Sequence, residues 1–359
     1  MSTRQDVVPT CRSARQAGLK ACTTTVVALL MMASVALSAQ DLAIGTIDLF
    51  GLRTVPAADV RRALTFKEGD ALNTVGRQLP AVLVDSERRI GELPGVARAR
   101  INVVCCDAGK LIVYVGVEEK GAVSTMRFLA RPTGTVRPAA DVLDAGKEFD
   151  TAFGGAIQRG DFAEDDTRGH ALFHDAATRA VQERFVGLAV RDTDNLRQVL
   201  HESSEADRRA LAAQLLGYVS DKQGVVDDLV QAMRDPDENV RNNAMRALMV
   251  FTKMTTGPAP RVPYDPFVQM LNSPVWTDRN KSSIALEQLS ARRNPELLRT
   301  LRATAFDSLA EMARWKTKGH ALSAFTILGR IAGLSENAIL QAWERGDRQR
   351  VIEAANRIQ

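Results

Sequence analysis

His170-Ala-Leu-Phe-His174 is the segment of this chain whose residue types and spacing best suit chemistry. Two imidazoles four positions apart fall one turn apart on a helix, and Asp165, Asp166 and Asp175 are close in sequence. That set would suit a divalent metal such as zinc. No Glu follows the first His, so the zinc-protease pattern HExxH is missing. Two histidines at this spacing also arise at helix starts with no ligand role, and that plainer reading is preferred. A metal-binding protein or enzyme centred on His170 and His174 stays as an alternative.

Cys105-Cys106 is the second candidate. In an oxidising compartment the pair would form a vicinal disulfide or bind a soft metal. The competing reading is two small half-buried side chains, one on each side of a sheet. It is preferred because vicinal pairing needs unusual backbone geometry. Nucleophilic catalysis finds no support: G-x-S-x-G is missing, and Gly116 and Gly154-Gly155 lack phosphate-loop or dinucleotide spacing. Glu118-Glu119 and Asp165-Asp166 read as solvated carboxylates, and His201 and His320 as surface or packing residues. No cofactor is called for.

The elements that would hold these residues begin after an apolar leader. Arg4, Arg12, Arg15 and Lys20 precede an uncharged stretch from Ala21 to Leu37, and Leu37-Ser38-Ala39 provides small residues for cleavage. This is the pattern of a secretory signal peptide over residues 1–39. An uncleaved segment would instead anchor a regulatory ectodomain in the membrane. The whole chain carries a net charge of +4. The leader holds four basic residues and one acid, Asp6, so about +1 remains for the rest. That near-neutral balance argues against a nucleic-acid partner.

Residues 44–50 read as a strand ended by Gly51. Val55-Pro56 opens a short helix with Val60, Ala63 and Leu64 inward, and a second helix covers about 85–93 with Ile90 and Leu93 inward. Two strands, 96–104 and 111–118, then alternate around Asp107-Ala108-Gly109-Lys110. The order is β-α-α-β-β. Together with Ile47-Asp48-Leu49-Phe50-Gly51-Leu52, Glu68-Gly69-Asp70, Leu93-Pro94-Gly95-Val96 and the final strand, it resembles the POTRA family of bacterial envelope proteins over about 42–120. The link from Ala71 to Val84, which holds Pro80, is longer than that family's usual one. The resemblance implies docking of other chains at a sheet edge, against the plainer role of a spacer.

Residues 121–175 read as a linker. Prolines fall at 132 and 138, short helices are expected at 139–146 and 148–158, and an exposed acidic loop at 160–169. Beyond Ala176 one signature recurs: a basic residue, a small residue three on, Ala or Leu six on, and Leu or Phe seven on. It occurs at Arg209/Ala212/Leu215/Leu216, Arg241/Ala244/Ala247/Leu248, Arg279/Ser282/Ala285/Leu286 and Lys318/Ala321/Ala324/Phe325, at intervals of 32, 38 and 39 residues. Such intervals predict stacked helical repeats. Each signature helix is expected to pair with the helix that follows it, and 351–358 to cap the stack. Gly257 to Pro266, with four prolines, reads as a stiff connecting loop.

The unit Asp235-Pro236-Asp237-Glu238-Asn239-Val240-Arg241, continued to Leu248, resembles HEAT repeats, and the likeness extends over about 176–345. In that family a turn Asp and a helix Arg link neighbouring repeats, and Asp237 and Arg241 occupy those places. The expected fold is therefore mainly α with a small α+β domain: a POTRA-like domain (42–120), a linker (121–175) and a HEAT-like α-solenoid (176–359). The expected function is a non-enzymatic protein–protein interaction scaffold in the bacterial cell envelope, periplasmic or at the outer membrane. Its partners would be proteins, with the membrane touched only through an uncleaved leader.

Ala212, Ala244, Ala247, Leu248, Ser282, Ala285, Ala321 and Ala324 would let adjacent helices approach closely. Ala244→Phe should therefore overpack the stack and cost about 1–3 kcal/mol. A thermal melt unchanged by that substitution would place Ala244 outside the core.

Overall fold

The computed structural model describes residues 42–73, 80–122, 127–161, 163–167, 169–255 and 257–358. The segment 1–39 expected as a signal peptide, with Cys11 and Cys22, lies outside the described residues. Everything from Gln40 onward forms one compact unit. Among the described residues no helix is long and apolar enough to cross a membrane.

The first elements are β1 (Leu42–Phe50), α1 (Ala57–Ala63), β2 (Ala71–Leu72), α2 (Ala81–Gly91), β3 (Val96–Asp107) and β4 (Lys110–Glu119). They make a four-stranded sheet in the order β2-β1-β4-β3, with β1 parallel to β4 and β3 antiparallel to it. Two details differ from expectation. The short strand β2 adds to β1, and α2 starts at Ala81 rather than near Asp85, immediately after Pro80. Proline suits that entry because a helix's first N–H groups have no partner within the helix.

Strand β4 reads Leu111-Ile-Val-Tyr-Val-Gly-Val117, a continuous apolar run. Both its faces are covered. Leu111, Val113, Val115 and Val117 join a core with Val60, Leu83 and Ile90 of α1 and α2. Ile112 and Tyr114 belong instead to the core of the helical half, together with Phe50. A strand buried on two sides has no polar face to alternate with.

Glu119 ties the loop after β1 to the end of β4. It accepts bonds from the backbone N–H groups of Arg53 (2.8 Å), Thr54 (2.9 Å) and Val55 (2.8 Å), and from the Thr54 hydroxyl at 2.6 Å. Burial alone would raise its carboxyl pKa. These donors outweigh that and hold it down at about 2.

The helical half comprises α3 (Ala140–Arg159), a hairpin of β5 (Glu164–Asp165) and β6 (Leu172–Phe173), α4 (Ala176–Arg191), α5 (Thr193–Glu202), α6 (Ala206–Leu216), α7 (Val226–Ala232), α8 (Glu238–Thr252), α9 (Asp265–Met270), α10 (Trp276–Leu289), α11 (Pro295–Ala313), α12 (Lys318–Ile331), α13 (Glu336–Arg345) and α14 (Arg348–Arg357). The two short helices expected at 139–158 are one helix of 20 residues. Val142, Ala145, Phe149 and Ala156 keep one buried face through it, and Gly146 lets it press on Leu211. The helices pair as α5–α6, α7–α8, α9–α10 and α11–α12, with α6, α8, α10 and α12 in one layer. Each signature helix is thus the second of its hairpin, where the sequence had suggested the first. The tight turns precede the signature, and the longer links, such as 253–264, follow it.

The signature arginines form a buried ladder. Arg209, Arg241 and Arg279 are 1%, 2% and 1% exposed. Each bonds a carbonyl six residues back, in the turn before its helix: Ser203 (2.9 Å), Asp235 (3.0 Å) and Ser273 (2.7 Å). Each also reaches an acid in the next repeat. Arg209 grips both oxygens of Asp235 (2.8 and 2.9 Å), Arg241 pairs with Asp278 (3.1 Å), and Arg279 with Glu311 (2.9 Å). Asp237 is not the partner of Arg241. It caps α8, accepting from the N–H groups of Asn239 and Val240. Lys318, at the fourth signature position, is exposed, and the ladder stops before it.

The first half of the chain lies along this turn edge. Residues 127–139 are extended and bonded to the interhelix turns: Leu129 N–H to Arg234 O (2.7 Å), the Arg131 guanidinium to Ser204 O (2.9 Å), and Gly134 N–H to Glu202 O (2.9 Å). Phe128 covers the Arg241 guanidinium at 4.3 Å from its ring centre. Phe50 covers Arg279 at 4.6 Å. The sheet itself packs on the next turns. A side chain at Gly116 would overlap the Pro274 carbonyl and come within 2.6 Å of Phe50. Trp276 N–H bonds Asn102 Oδ1 (2.9 Å), Lys316 N–H bonds Asp48 (3.0 Å), and Tyr114 stacks on Trp276 with ring centres 5.2 Å apart. One face of the small sheet is thus part of the repeat stack's core.

Removing Arg241 alone strands Asp278, which has no solvent exposure. Arg241→Met should cost about 3–5 kcal/mol, and adding Asp278→Leu should recover part of that loss. Urea denaturation of the two variants checks this. A double variant less stable than Arg241→Met would refute the pairing.

Candidate functional site

The β5–β6 hairpin and α3 lie across the face of the α6–α8–α10 layer. Both bury apolar side chains against it, and the hairpin adds ion pairs. Glu164 pairs with Arg246, and Asp166 with Lys253 at 2.6 Å. Thr255 N–H adds a bond to Thr167 O (3.2 Å). The acidic segment expected as an exposed loop is thus pinned to α8. Asp175 caps α4 by accepting from the Thr178 N–H and hydroxyl (2.8 and 2.7 Å), which with Arg159 hold its carboxyl at about 2.

Between hairpin and layer a cavity of about 340 Å³ opens. One wall is aromatic. Phe149 and Phe153 of α3 and Phe173 of β6 pack against each other, with Phe153 and Phe173 ring centres 4.8 Å apart. The other wall is polar and basic, formed by Gln214, Asn242, Arg246 and Lys281 from three successive repeats, and one carboxylate, Asp150 of α3, also lines the cavity on the side of the rings. Arg246 is engaged by Glu164 and lies over Phe173 at 5.6 Å. Asn243 is also engaged, donating to Ala210 O at 2.9 Å. Lys281 is half-buried and has no hydrogen-bond or ion-pair partner among the described residues. Burial, with Arg246 and Lys253 close by, pushes its ammonium down to about 8, and Glu164 offsets this only in part.

His170 and His174 are not brought together as a ligand pair. They flank β6, so a strand separates them in place of a helical turn. His170 stacks on Tyr218, with ring centres 5.8 Å apart, and His174 is exposed. Among the described residues no group of three or more His, Cys, Asp or Glu is placed to hold a metal ion. Cys105 and Cys106, expected as separate half-buried side chains, are joined in a vicinal disulfide at the end of β3. His201 bonds Asp228 at 2.7 Å, and Arg197 approaches the same carboxylate at 2.8 Å. His320 bonds the Tyr114 hydroxyl at 2.7 Å, within the packing of sheet on stack. Ala212, Ala244, Ala285, Ala321 and Ala324 have no exposure, nor do Leu248 and Ser282, and Ala247 is 5% exposed.

The residues that line the cavity were missed because they lie between the repeated positions. Asn242, Arg246 and Lys281 share the helices of the signature but not its face. The only signal was a cluster of phenylalanines, 149, 153 and 173, in a stretch read as linker.

Residues 193–287 match the family model for HEAT repeats. The helical stack is a HEAT-like solenoid. Among solved structures, a designed armadillo repeat protein aligns at 15% identity with a TM-score of 0.33, over 50% of this chain and 92% of its own. Computationally designed armadillo repeat proteins for modular peptide recognition align at 14% identity and 0.36, over 60% and 98%. No match was found among curated proteins.

The hairpin's ion pairs are partly exposed, so each is worth little alone. Glu164→Gln with Asp166→Asn should speed amide exchange across 164–173 while changing global stability by about 1 kcal/mol or less. Unchanged exchange would show that apolar packing alone seats the hairpin.

Proposed function

We propose that this protein is a non-enzymatic interaction scaffold of the bacterial cell envelope, which receives a protein partner on the face of the α6–α8–α10 layer. The observation that carries the reading is the unequal cover of the stack. Its turn edge is closed by the sheet and the extended segment 127–139, whereas the α6–α8–α10 face keeps a cavity lined by polar and basic side chains. Solenoids present such faces to partners because each repeat adds one more set of side chains to a continuous surface.

The envelope part of the proposal rests on the basic and apolar leader of residues 1–39 and on the likeness of 42–120 to POTRA domains. Docking by strand addition would use β3, the longer of the two edge strands, since β2 has only two residues. There the Ile101 N–H is already taken by Glu87 at 2.6 Å, which blunts the middle of that edge. The opposite sheet face is closed by the solenoid. The α6–α8–α10 face is therefore the stronger docking surface.

A photo-crosslinking residue placed at Asn242 in cells should capture a discrete partner, and one placed at exposed Glu353 on α14 should not. Equal capture from both positions would refute the assignment of the face. In the same preparation, N-terminal sequencing should begin at Gln40 and fractionation should recover the protein in the periplasm. An intact Met1 terminus in the membrane fraction would replace the soluble scaffold with an anchored ectodomain.

A further inference from the structure

We propose that the cavity between α3, the β5–β6 hairpin and the α6–α8–α10 layer is a binding site for a carboxylate carried on an aromatic group. This goes beyond the scaffold reading, since a free acid would occupy the cavity without any protein partner. Three observations carry the inference.

The cavity has the size of a small ligand site. At about 340 Å³ it lies near the lower end of the range for such sites, roughly 300–1,000 Å³, so it suits one ring and its polar head rather than a large cofactor. Its two walls differ in chemistry. Phe149, Phe153 and Phe173 present ring faces and edges against which another aromatic ring packs favourably. Opposite them stands Lys281, a half-buried cation that forms no hydrogen bond or ion pair among the described residues. Gln214 lines the same wall, and no described group bonds its side-chain amide. An ammonium and an amide N–H on one side, with rings on the other, match the two ends of an aromatic acid.

The protein's own contacts indicate the sign of the missing charge. The other two cations along this face, Arg246 and Lys253, are each met by a carboxylate from the hairpin. Lys281 has no hydrogen bond or ion pair to the hairpin among the described residues, and Glu164 acts on it only at longer range. A carboxylate entering the cavity would fill that position with a charge-assisted hydrogen bond, stronger than a neutral one. Desolvating the ammonium is already part of the folded state, so the ligand gains the charge pairing with little further loss of solvation from the protein.

Isothermal titration of the full chain with N-acetyl-phenylalanine and with its uncharged amide tests the site. The acid should bind, and the amide should bind at least about tenfold more weakly. Lys281→Gln should lower affinity for the acid about tenfold and leave that for the amide unchanged. Phe153→Leu should weaken both. A hexapeptide ending in phenylalanine with a free carboxylate distinguishes the sources. Tighter binding than the single residue points to a chain terminus, and equal or weaker binding to a free acid. Equal affinity of acid and amide for the wild-type protein, or no binding of either, overturns the proposal without any variant. An unchanged affinity for the acid in correctly folded Lys281→Gln overturns it as well.

Discussion

The structure depends on a buried cation at the start of three of the four signature helices. A guanidinium out of water is tolerated only when its donors are met and its charge is paired. Arg209, Arg241 and Arg279 meet both conditions in the same way, with a carbonyl from their own turn and an acid from the next repeat. The ladder therefore does two jobs that are usually separate. It closes each helical hairpin, and it sets the position of the next one. Apolar packing could hold the helices at several rotations. A planar guanidinium between a fixed carbonyl and a fixed carboxylate permits far fewer.

The ladder also explains the first half of the chain. Paired arginines along a turn edge would still face solvent on one side. Phe128 and Phe50 close that side with aromatic faces, and the extended segment and the sheet that carry them are held by backbone bonds to the same turns. The sheet is consequently buried on both faces, by its own helices and by the solenoid. Its small residue at Gly116 is the point of closest approach. This arrangement differs from a chain of independent modules, because the cover and the covered surface come from opposite ends of the sequence.

Much of the helical half was legible in the sequence. Ala212, Ala244, Ser282 and Ala321 recur because helices in adjacent repeats must touch closely, and that need appears at a fixed spacing from the basic residue. The role of the basic residue itself was not legible. Its acidic partners lie 26, 37 and 32 positions downstream, one in a turn and two within helices, so no repeat in sequence reports them. Asp237 looked like the partner because it stands in the family's place, but a helix N-terminus close by claimed its oxygen. Strand β4 did announce its double burial through an unbroken apolar run, a pattern easily taken for one half-buried face. The cavity was the least legible feature. Its walls come from α3, β6, α6, α8 and α10, and proximity in three dimensions leaves no periodic trace.

The bonds from Glu311 to Gly51 and Arg53 span about 260 positions of chain. A ribosome releases residues 51 and 53 long before residue 311 exists. Unlike repeat arrays, which gain stability one unit at a time, this protein cannot seat its first sheet until its fourth helical hairpin has emerged. The apolar face bearing Phe50, Ile112 and Tyr114 must wait uncovered through most of synthesis. A chain ending before α11 would keep most of its repeats yet lack Trp315, against which Phe50 and Tyr114 pack, and would leave that part of the face open to chaperones and proteases.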